Sequence, residues 1–155
     1  MQRMTGMPST GKSASSEDHL TQFMTASHRH LDQVFSNLLG ALEVNAPDVR
    51  ELWTELDHGL AAHMEAEERY VLPVFARVDP DEAVALLREH GEIRQQLLEL
   101  GVAVDLHSIR FEQSRRFIAA LRAHADREDR LLYRWADERL DRSLIAAAHH
   151  HLTAR

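Results

Sequence analysis

Two short segments of this chain place a histidine four residues before a glutamate, and both residue types are common metal ligands. One segment reads AHMEAEER around His63 and Glu67, and the other reads AHADREDR around His124 and Glu128. Residues i and i+4 share one face of an α-helix, so each segment presents an imidazole beside a carboxylate. Two such pairs, on two helices that face one interior, predict a metal site.

The sequence around these segments forms four long amphipathic patterns. Apolar residues recur at alternating spacings of three and four, which is typical of the inward stripe of a bundle helix. Asp79 and Pro80 have the residue types of a helix start, Glu82 stands in the capping-box position, and Pro73 should loosen the end of the second helix. We predict helices over about residues 16–44, 47–77, 80–100 and 108–139, residues 101–107 as a loop or frayed continuation, and a short helix from Leu144 to His150.

Four long helices with short connections predict an all-α fold, an up-down-up-down four-helix bundle. We expect residues 1–15 to form a flexible tail, residues 16–140 the bundle and residues 141–155 a C-terminal extension. The tail contains GMPSTGKS, from Gly6 to Ser13, which matches the P-loop pattern. A P-loop needs a buried strand before it and a helix after it. Neither is predicted here, so we interpret the match as accidental.

One histidine interrupts the inward stripe of each predicted helix, and a glutamate follows one turn later in the second and fourth. The six candidate metal ligands are therefore His28, His63, Glu67, His90, His124 and Glu128. The first three recur as the last three at offsets of 62, 61 and 61 residues, which indicates an internal duplication of a helix pair. The histidines of each helix pair lie about equally far from the turn between them. Antiparallel packing would therefore place all six side chains in one layer.

The number and type of these donors indicate which metal they would hold. A buried carboxylate costs several kcal/mol unless it is paired or binds a metal. A metal-free network of hydrogen bonds is the alternative, but six such groups would make an expensive core. Zinc prefers four tetrahedral ligands, whereas six mixed nitrogen and oxygen donors suit two iron ions, with manganese or zinc less favoured. A ferritin-like site needs two Glu-x-x-His motifs, and this chain has one, Glu55 with His58.

The composition argues against several other classes of protein. The chain has 155 residues, 28% charged and 44% apolar, which suits one globular domain. Its formal net charge of −7 and the lack of a basic stripe argue against nucleic-acid binding. No apolar run reaches the roughly 18 residues of a membrane span, and no signal-peptide core is present, so we predict a cytoplasmic protein. The absence of cysteine excludes disulfides and iron–sulfur clusters.

A histidine on the first helix and His-x-x-x-Glu on the second, with both repeated, resembles the hemerythrin-like HHE cation-binding domain over about residues 17–140. The resemblance implies four terminal histidine ligands, with Glu67 and Glu128 bridging two iron ions. The oxygen-carrying hemerythrins have a further histidine where this chain has Arg94, and an aspartate in place of Glu128. Two octahedral ions have about twelve positions. With an oxo or hydroxo bridge, this ligand set leaves one position open on each ion.

Open positions on both ions suit peroxide or nitric oxide chemistry, or oxygen sensing, better than simple oxygen carriage. We therefore predict a non-haem di-iron protein that binds, senses or reacts with O2, peroxide or nitric oxide. The alternatives are iron storage or donation, reversible O2 binding without turnover, and a purely structural metal. Enzymatic activity and oligomeric state are left open. Tyr70, near Glu67 on its stripe, and Tyr133, at the edge of its own, are candidates for contacts with the ligands.

Overall fold

The computed structural model describes residues 19–154. The predicted tail, the P-loop match and the predicted start of the first helix at residue 16 lie outside these residues. Within the described part the chain is all-helical, which confirms the predicted class. Its helices are α1 (Leu20–Glu43), α2 (Val49–Tyr70), α3 (Leu72–Phe75), α4 (Pro80–Asp105), α5 (Phe111–Arg130), α6 (Leu132–Arg139) and α7 (Arg142–Thr153).

Two of the predicted long helices are interrupted at a single residue. The first interruption is at Val71 (φ −109°, ψ −58°), between α2 and α3, and Pro73 follows in the first turn of α3. The loosening predicted near this proline is therefore confirmed. The second is at Leu131, with almost the same dihedral angles (φ −112°, ψ −65°), although no proline is near it. The prediction of one continuous helix over residues 108–139 is wrong at this point.

The start of α4 follows its predicted cap. The side chain of Asp79 accepts a hydrogen bond of 3.0 Å from the backbone N–H of Glu82, and Pro80 occupies the first helical position. The carboxylate of Glu82 does not complete a capping box, because it accepts hydrogen bonds of 2.5 and 2.7 Å from Arg127 on α5. A residue predicted to serve its own helix end therefore joins two helices. At the other end α4 continues to Asp105.

The buried apolar side chains form two clusters, and the histidines lie between them. On α1, Met24 belongs to the first cluster and Leu31 to the second, with His28 between; α4 repeats this order with Leu86, His90 and Ile93. The first cluster includes Leu20, Met24, Leu72, Leu86, Tyr133, Ile145 and Ala148, the last two from α7. The second includes Leu31, Phe35, Leu38, Leu56, Ile93 and Phe117. Two apolar layers thus enclose one polar layer. Among the described residues, no helix is long and apolar enough to cross a membrane.

Candidate metal centre

The six candidate ligands meet in the polar layer between the two apolar clusters. Both glutamates are completely buried, and no histidine exposes more than 13% of its side chain. Their donor atoms form two overlapping groups, in each of which all atoms lie within 4.8 Å of one another: Glu67, His90, His124 and Glu128 in one, and His28, His63 and Glu128 in the other. The structure therefore brings together every residue of the predicted ligand set.

The four histidines form two pairs. His28 on α1 and His63 on α2 have ring centroids 4.4 Å apart and make the α1–α2 pair. His90 on α4 and His124 on α5 have ring centroids 4.7 Å apart and make the α4–α5 pair. Each pair therefore combines the histidine on the first helix of one half, α1 or α4, with the histidine on the second helix of the same half, α2 or α5.

Each glutamate turns one of its oxygens toward each histidine pair. Glu67 Oε1 lies 3.5 Å from Nε2 of His63, in the α1–α2 pair, and its Oε2 lies 3.2 Å from Nε2 of His90 in the other pair. Glu128 Oε2 lies 3.2 Å from an Nε2 of the α1–α2 pair, and its Oε1 lies 2.7 Å from an Nε2 of the α4–α5 pair. Both carboxylates thus span the space between the two pairs.

The outer nitrogens of the α4–α5 pair face carboxylates. His90 Nδ1 lies 2.8 Å from Glu68 Oε1, and His124 Nδ1 lies 2.7 Å from Glu89 Oε2. An ionised carboxylate only accepts hydrogen bonds, so each Nδ1 carries a proton. This fixes the ring orientation and leaves Nε2 as the nitrogen that can hold an ion, which is the usual arrangement behind a metal-bound histidine.

The α1–α2 pair has a related but weaker outer shell. His63 Nδ1 lies 2.9 Å from the hydroxyl of Ser27, and His28 Nδ1 lies 3.6 Å from Asp129 Oδ1. Thr25 donates a hydrogen bond of 3.0 Å to the same Asp129 oxygen. A neutral hydroxyl behind His63 makes this imidazole less electron-rich than one backed by a carboxylate.

These outer partners were not predicted, although the internal repeat contains a signal for them. Ser27 and Glu89 each directly precede the histidine on the first helix of their half, and each contacts the histidine on the second helix of the same half. Glu68 and Asp129 each directly follow the glutamate of their half, and each faces the histidine on the first helix of the other half. Comparing the residues next to each candidate ligand across the two copies draws attention to these four positions, but it does not indicate which histidine each of them contacts.

Arginines hold the outer carboxylates in place. Arg94 donates two hydrogen bonds, of 2.7 and 3.1 Å, to Glu68. Arg127 bonds to Glu89 as well as to Glu82. Bidentate pairs of this kind restrict the orientation of a carboxylate more than a single bond does. Charged side-chain pairs therefore join α2 to α4 and α4 to α5 next to the centre.

The electrostatics of the site favour positive charge at its centre. Burial disfavours the charged form of His63, but Glu67 and Glu128 outweigh it and raise its pKa to about 9. Burial opposes protonation of His90 in the same way, yet the same carboxylates raise its pKa to about 10. Burial raises the pKa of Glu128, but the surrounding histidines lower it well below the ordinary value. Protons on the histidines supply this positive charge in the metal-free protein, and a metal ion would replace them.

Two inward-facing atoms of the centre have no hydrogen-bond partner. Glu67 Oε2 and His124 Nε2 are buried and unbonded, although His90 Nε2 and Glu128 Oε1 lie 3.2 and 2.7 Å from them. The distances are short, but the angles do not suit hydrogen bonds. Buried polar atoms without partners cost free energy. Donors that converge without bonding to one another fit a metal ion between them.

Tyr133 has a more central position than the sequence indicated, because it is completely buried among the ligands. Five residues after Glu128, it would point about 140° away from that side chain on a continuous helix. The interruption at Leu131 turns it inward instead. Burial and the two glutamates raise the pKa of Tyr133 well above its ordinary value. Tyr70 lies against α7, with its ring centroid 6.0 Å from that of His151.

A cavity of about 370 Å³ connects the centre with the surface between α1 and α5. Its inner wall includes His28, His63 and His124, and much of the remainder is apolar: Leu31, Leu60, Met64, Ile93 and Leu121. Two contacts between α1 and α5 bracket it along the helices, Thr25 with Asp129 at 3.0 Å and Asp32 with Arg122 at 2.9 and 3.2 Å. A small molecule could therefore reach the histidines without unfolding of the bundle.

Comparison with known proteins identifies one family. Residues 19–136 match the Hemerythrin HHE cation binding domain. The match includes all six candidate ligands and the four side chains behind the histidines. No curated protein and no solved structure gave a significant match.

Proposed function

Because the chain belongs to the hemerythrin HHE cation-binding family, we propose that the buried cluster holds two iron ions and that the protein binds, senses or reacts with a small oxidant or gas. The main support is that each glutamate turns one oxygen toward each histidine pair. In this proposal the histidines are terminal ligands and both glutamates bridge the ions. An oxo or hydroxo group would complete the bridge. We further propose that the helices form an up-down-up-down four-helix bundle around this centre.

Iron is preferred to zinc because of the number and type of donors. Four imidazoles and two bridging carboxylates offer eight donor atoms, which is too many for one tetrahedral zinc ion. Mixed nitrogen and oxygen donors suit iron, and manganese is the next choice. Bound iron would supply one-electron redox chemistry and open coordination positions for an oxygen or nitrogen ligand. Manganese and zinc remain outcomes of the metal analysis described below.

The surrounding residues support access by a small ligand. The cavity between α1 and α5 leads to three of the histidines and has a largely apolar wall, which favours uncharged molecules such as O2 or nitric oxide. Arg94 stands where oxygen-carrying relatives have a further histidine, and its guanidinium holds Glu68 rather than entering the centre. This position therefore adds no ligand. A cytoplasmic location stays a prediction from the sequence.

The test is anaerobic loading with ferrous iron, followed by metal analysis and absorption spectroscopy before and after exposure to air. We expect two irons per chain and new charge-transfer bands after oxidation. A band that forms and disappears reversibly with oxygen would favour the alternative of O2 binding without turnover. Retention of oxygen-stable iron that a chelator slowly removes, with no gas or peroxide response, would favour storage or donation. Zero or one metal per chain would overturn the di-iron proposal.

Variants test the ligand set directly. His63→Ala and His124→Ala each remove one terminal donor from a different histidine pair, so each should lower the iron content below two per chain. His58→Ala is the matched control, since His58 is exposed on α2 and should leave the iron content unchanged. Unaltered iron in both of the first two variants would overturn the assignment.

A further inference from the structure

We propose that Tyr133 is itself a metal ligand, and that its phenolate oxygen binds the ion held by His28 and His63. This inference rests on the proposed function, since it assigns a seventh protein ligand to the same centre. The tyrosine hydroxyl lies 2.5 Å from Glu67 Oε1 and 3.1 Å from Glu128 Oε2. It also lies 3.2 Å from His63 Nε2 and 3.3 Å from His28 Nε2.

Three of these four distances are those expected between neighbouring ligands of one ion. Nitrogen and oxygen donors bind transition metals at about 2.0–2.2 Å, so adjacent ligands of an octahedral ion lie about 3 Å apart. The hydroxyl of Tyr133 has this spacing to three candidate ligand atoms at once, and it lies closer, at 2.5 Å, to the fourth, Glu67 Oε1. A residue behind the ligands would instead contact one of them from outside, as Glu68 contacts the outer nitrogen of His90.

Hydrogen bonds alone give the hydroxyl of Tyr133 suitable partners only while His63 and His28 carry protons on Nε2. In that state the hydroxyl of Tyr133 can donate to Glu67 and accept from His63 and His28. A histidine nitrogen that binds an ion no longer carries a proton. The hydroxyl of Tyr133 then loses both of its hydrogen-bond donors, so the lone pairs of its oxygen have no partner among these four contacts. The ion that binds His63 and His28 can supply that partner.

Coordination of Tyr133 requires loss of its proton and no transfer of electrons. The bond from oxygen to the metal forms as the O–H bond breaks, and the proton passes to a solvent base. Phenolate is an established ligand of iron in proteins, as in the haem of catalase. The side chain is already oriented for this role, because the interruption at Leu131 directs it inward and its ring is completely buried.

The internal repeat offers no second tyrosine at the matching place. With the offset of 61 residues, Tyr133 corresponds to Leu72, a buried member of the first apolar cluster. Only one of the two ions therefore gains a phenolate. Tyr133 would fill the open position beside His28 and His63, which leaves the open position beside His90 and His124. The cavity that reaches the surface is lined by His124 as well as by His28 and His63, so an external ligand that enters it also reaches a ligand of this second ion.

Spectroscopy of the two tyrosine variants tests the inference, because the chain has only two tyrosines. The wild type and Tyr70→Phe, each loaded with two ferric ions, should both show a visible phenolate-to-iron charge-transfer band with resonance-enhanced tyrosine ring modes. In Tyr133→Phe this charge-transfer band should be about tenfold weaker or more. Should Tyr133→Phe also lose iron, a band retained in Tyr70→Phe can come only from Tyr133.

The outcomes separate this inference from the proposed function. A wild-type protein with two ferric ions and no phenolate band overturns the inference and leaves the di-iron proposal intact. A band of equal strength in Tyr133→Phe overturns it as well. If the wild type binds no iron, the di-iron proposal fails, and titration with gallium(III) or zinc(II) decides the role of Tyr133. A tyrosinate absorption that appears in the wild type and not in Tyr133→Phe supports coordination, and its absence from the wild type overturns it.

Discussion

At the scale of single residues, the four histidines are distinguished by what lies behind them. Three have a carboxylate near Nδ1, whereas His63 has the hydroxyl of Ser27. These contacts decide which nitrogen faces the centre and how strongly it donates. The types of the six candidate ligands could be predicted from the sequence because their spacing repeats. Ser27 and Glu89 could not be recognised from one copy alone, because neither lies four residues before or after a candidate ligand on its helix.

Removing the charge behind one histidine should weaken metal binding without removing a ligand. Glu68→Gln keeps an oxygen near His90 Nδ1 but loses the charge that this imidazole and Arg94 share. We expect the metal affinity to fall about 10- to 100-fold, measured by competition with a chelator. Glu92→Gln is the control, because Glu92 is exposed and pairs with Arg88 on its own helix. Equal affinities for Glu68→Gln and the wild type would contradict the role given to Glu68.

The stability of the metal-free protein should decrease as the pH rises from about 6.5 to about 9.5. Folding raises the pKa of His63 to about 9 and that of His90 to about 10, against about 6.5 in the unfolded chain. A group whose pKa is raised on folding contributes its full stabilisation at pH values below its unfolded pKa. That stabilisation is lost as the pH rises through the folded pKa. The glutamates, whose pKa values are lowered, change nothing in this range.

Urea unfolding of chelator-treated protein at several pH values measures this decrease. We expect the free energy of unfolding to fall by on the order of 6 kcal/mol over the range, because each unit of pKa shift corresponds to about 1.4 kcal/mol. His58→Gln, which alters an exposed histidine on α2, should show the same decrease. A flat profile for the wild type would show that the histidines are neutral in the folded metal-free protein.

At the scale of helices, the position of Tyr133 depends on how α5 ends. The periodicity of the sequence predicted which face of each helix is buried, and the ligands follow that face. It could not predict the interruption at Leu131, because no proline or glycine stands there. The interruption becomes understandable only in the packed protein, where Leu132 and Tyr133 are both completely buried. Local sequence favours a straight helix, and burial of two large side chains outweighs that preference.

The passage between α1 and α5 gives a prediction at the same scale. The contacts of Thr25 with Asp129 and of Asp32 with Arg122 place Ala125 near the middle of the opening. A small residue there leaves space that a larger side chain would fill. Ala125→Phe should therefore slow binding of nitric oxide or azide to the iron-loaded protein by at least about tenfold, as measured by stopped-flow absorption.

Ala123→Phe is the matched control for this substitution. Ala123 lies on the same helix, two residues earlier, and is exposed, so the same change there should leave the binding rate unaltered. Iron content is measured in both variants to exclude damage to the centre. Xenon uptake by the metal-free protein gives a second readout, because xenon enters apolar cavities. An Ala125→Phe protein with full iron content and an unchanged rate would show that ligands enter elsewhere.

At the scale of the whole molecule, the duplicated halves share the centre. The repeat predicted that two helix pairs would each contribute two histidines and one glutamate, and the described residues bring these six together. It did not predict how they cross over. Glu67 of the first half contacts His90 of the second, and Glu128 of the second contacts His28 of the first. Such contacts depend on the packing of the two halves, which a pattern within either half does not contain.

With an ion bound, this crossing would give a cysteine-free chain the effect of a cross-link. An ion held by both His28 and Glu128 would join residues 100 positions apart. In the loop-closure description, a permanent link over about 100 residues lowers the entropy of the unfolded chain by an amount equivalent to about 4.7 kcal/mol. Unlike a disulfide, the link would form without an oxidising compartment and would open when the ion leaves. The concentration of free metal would then set the stability of the folded chain as well as its chemistry.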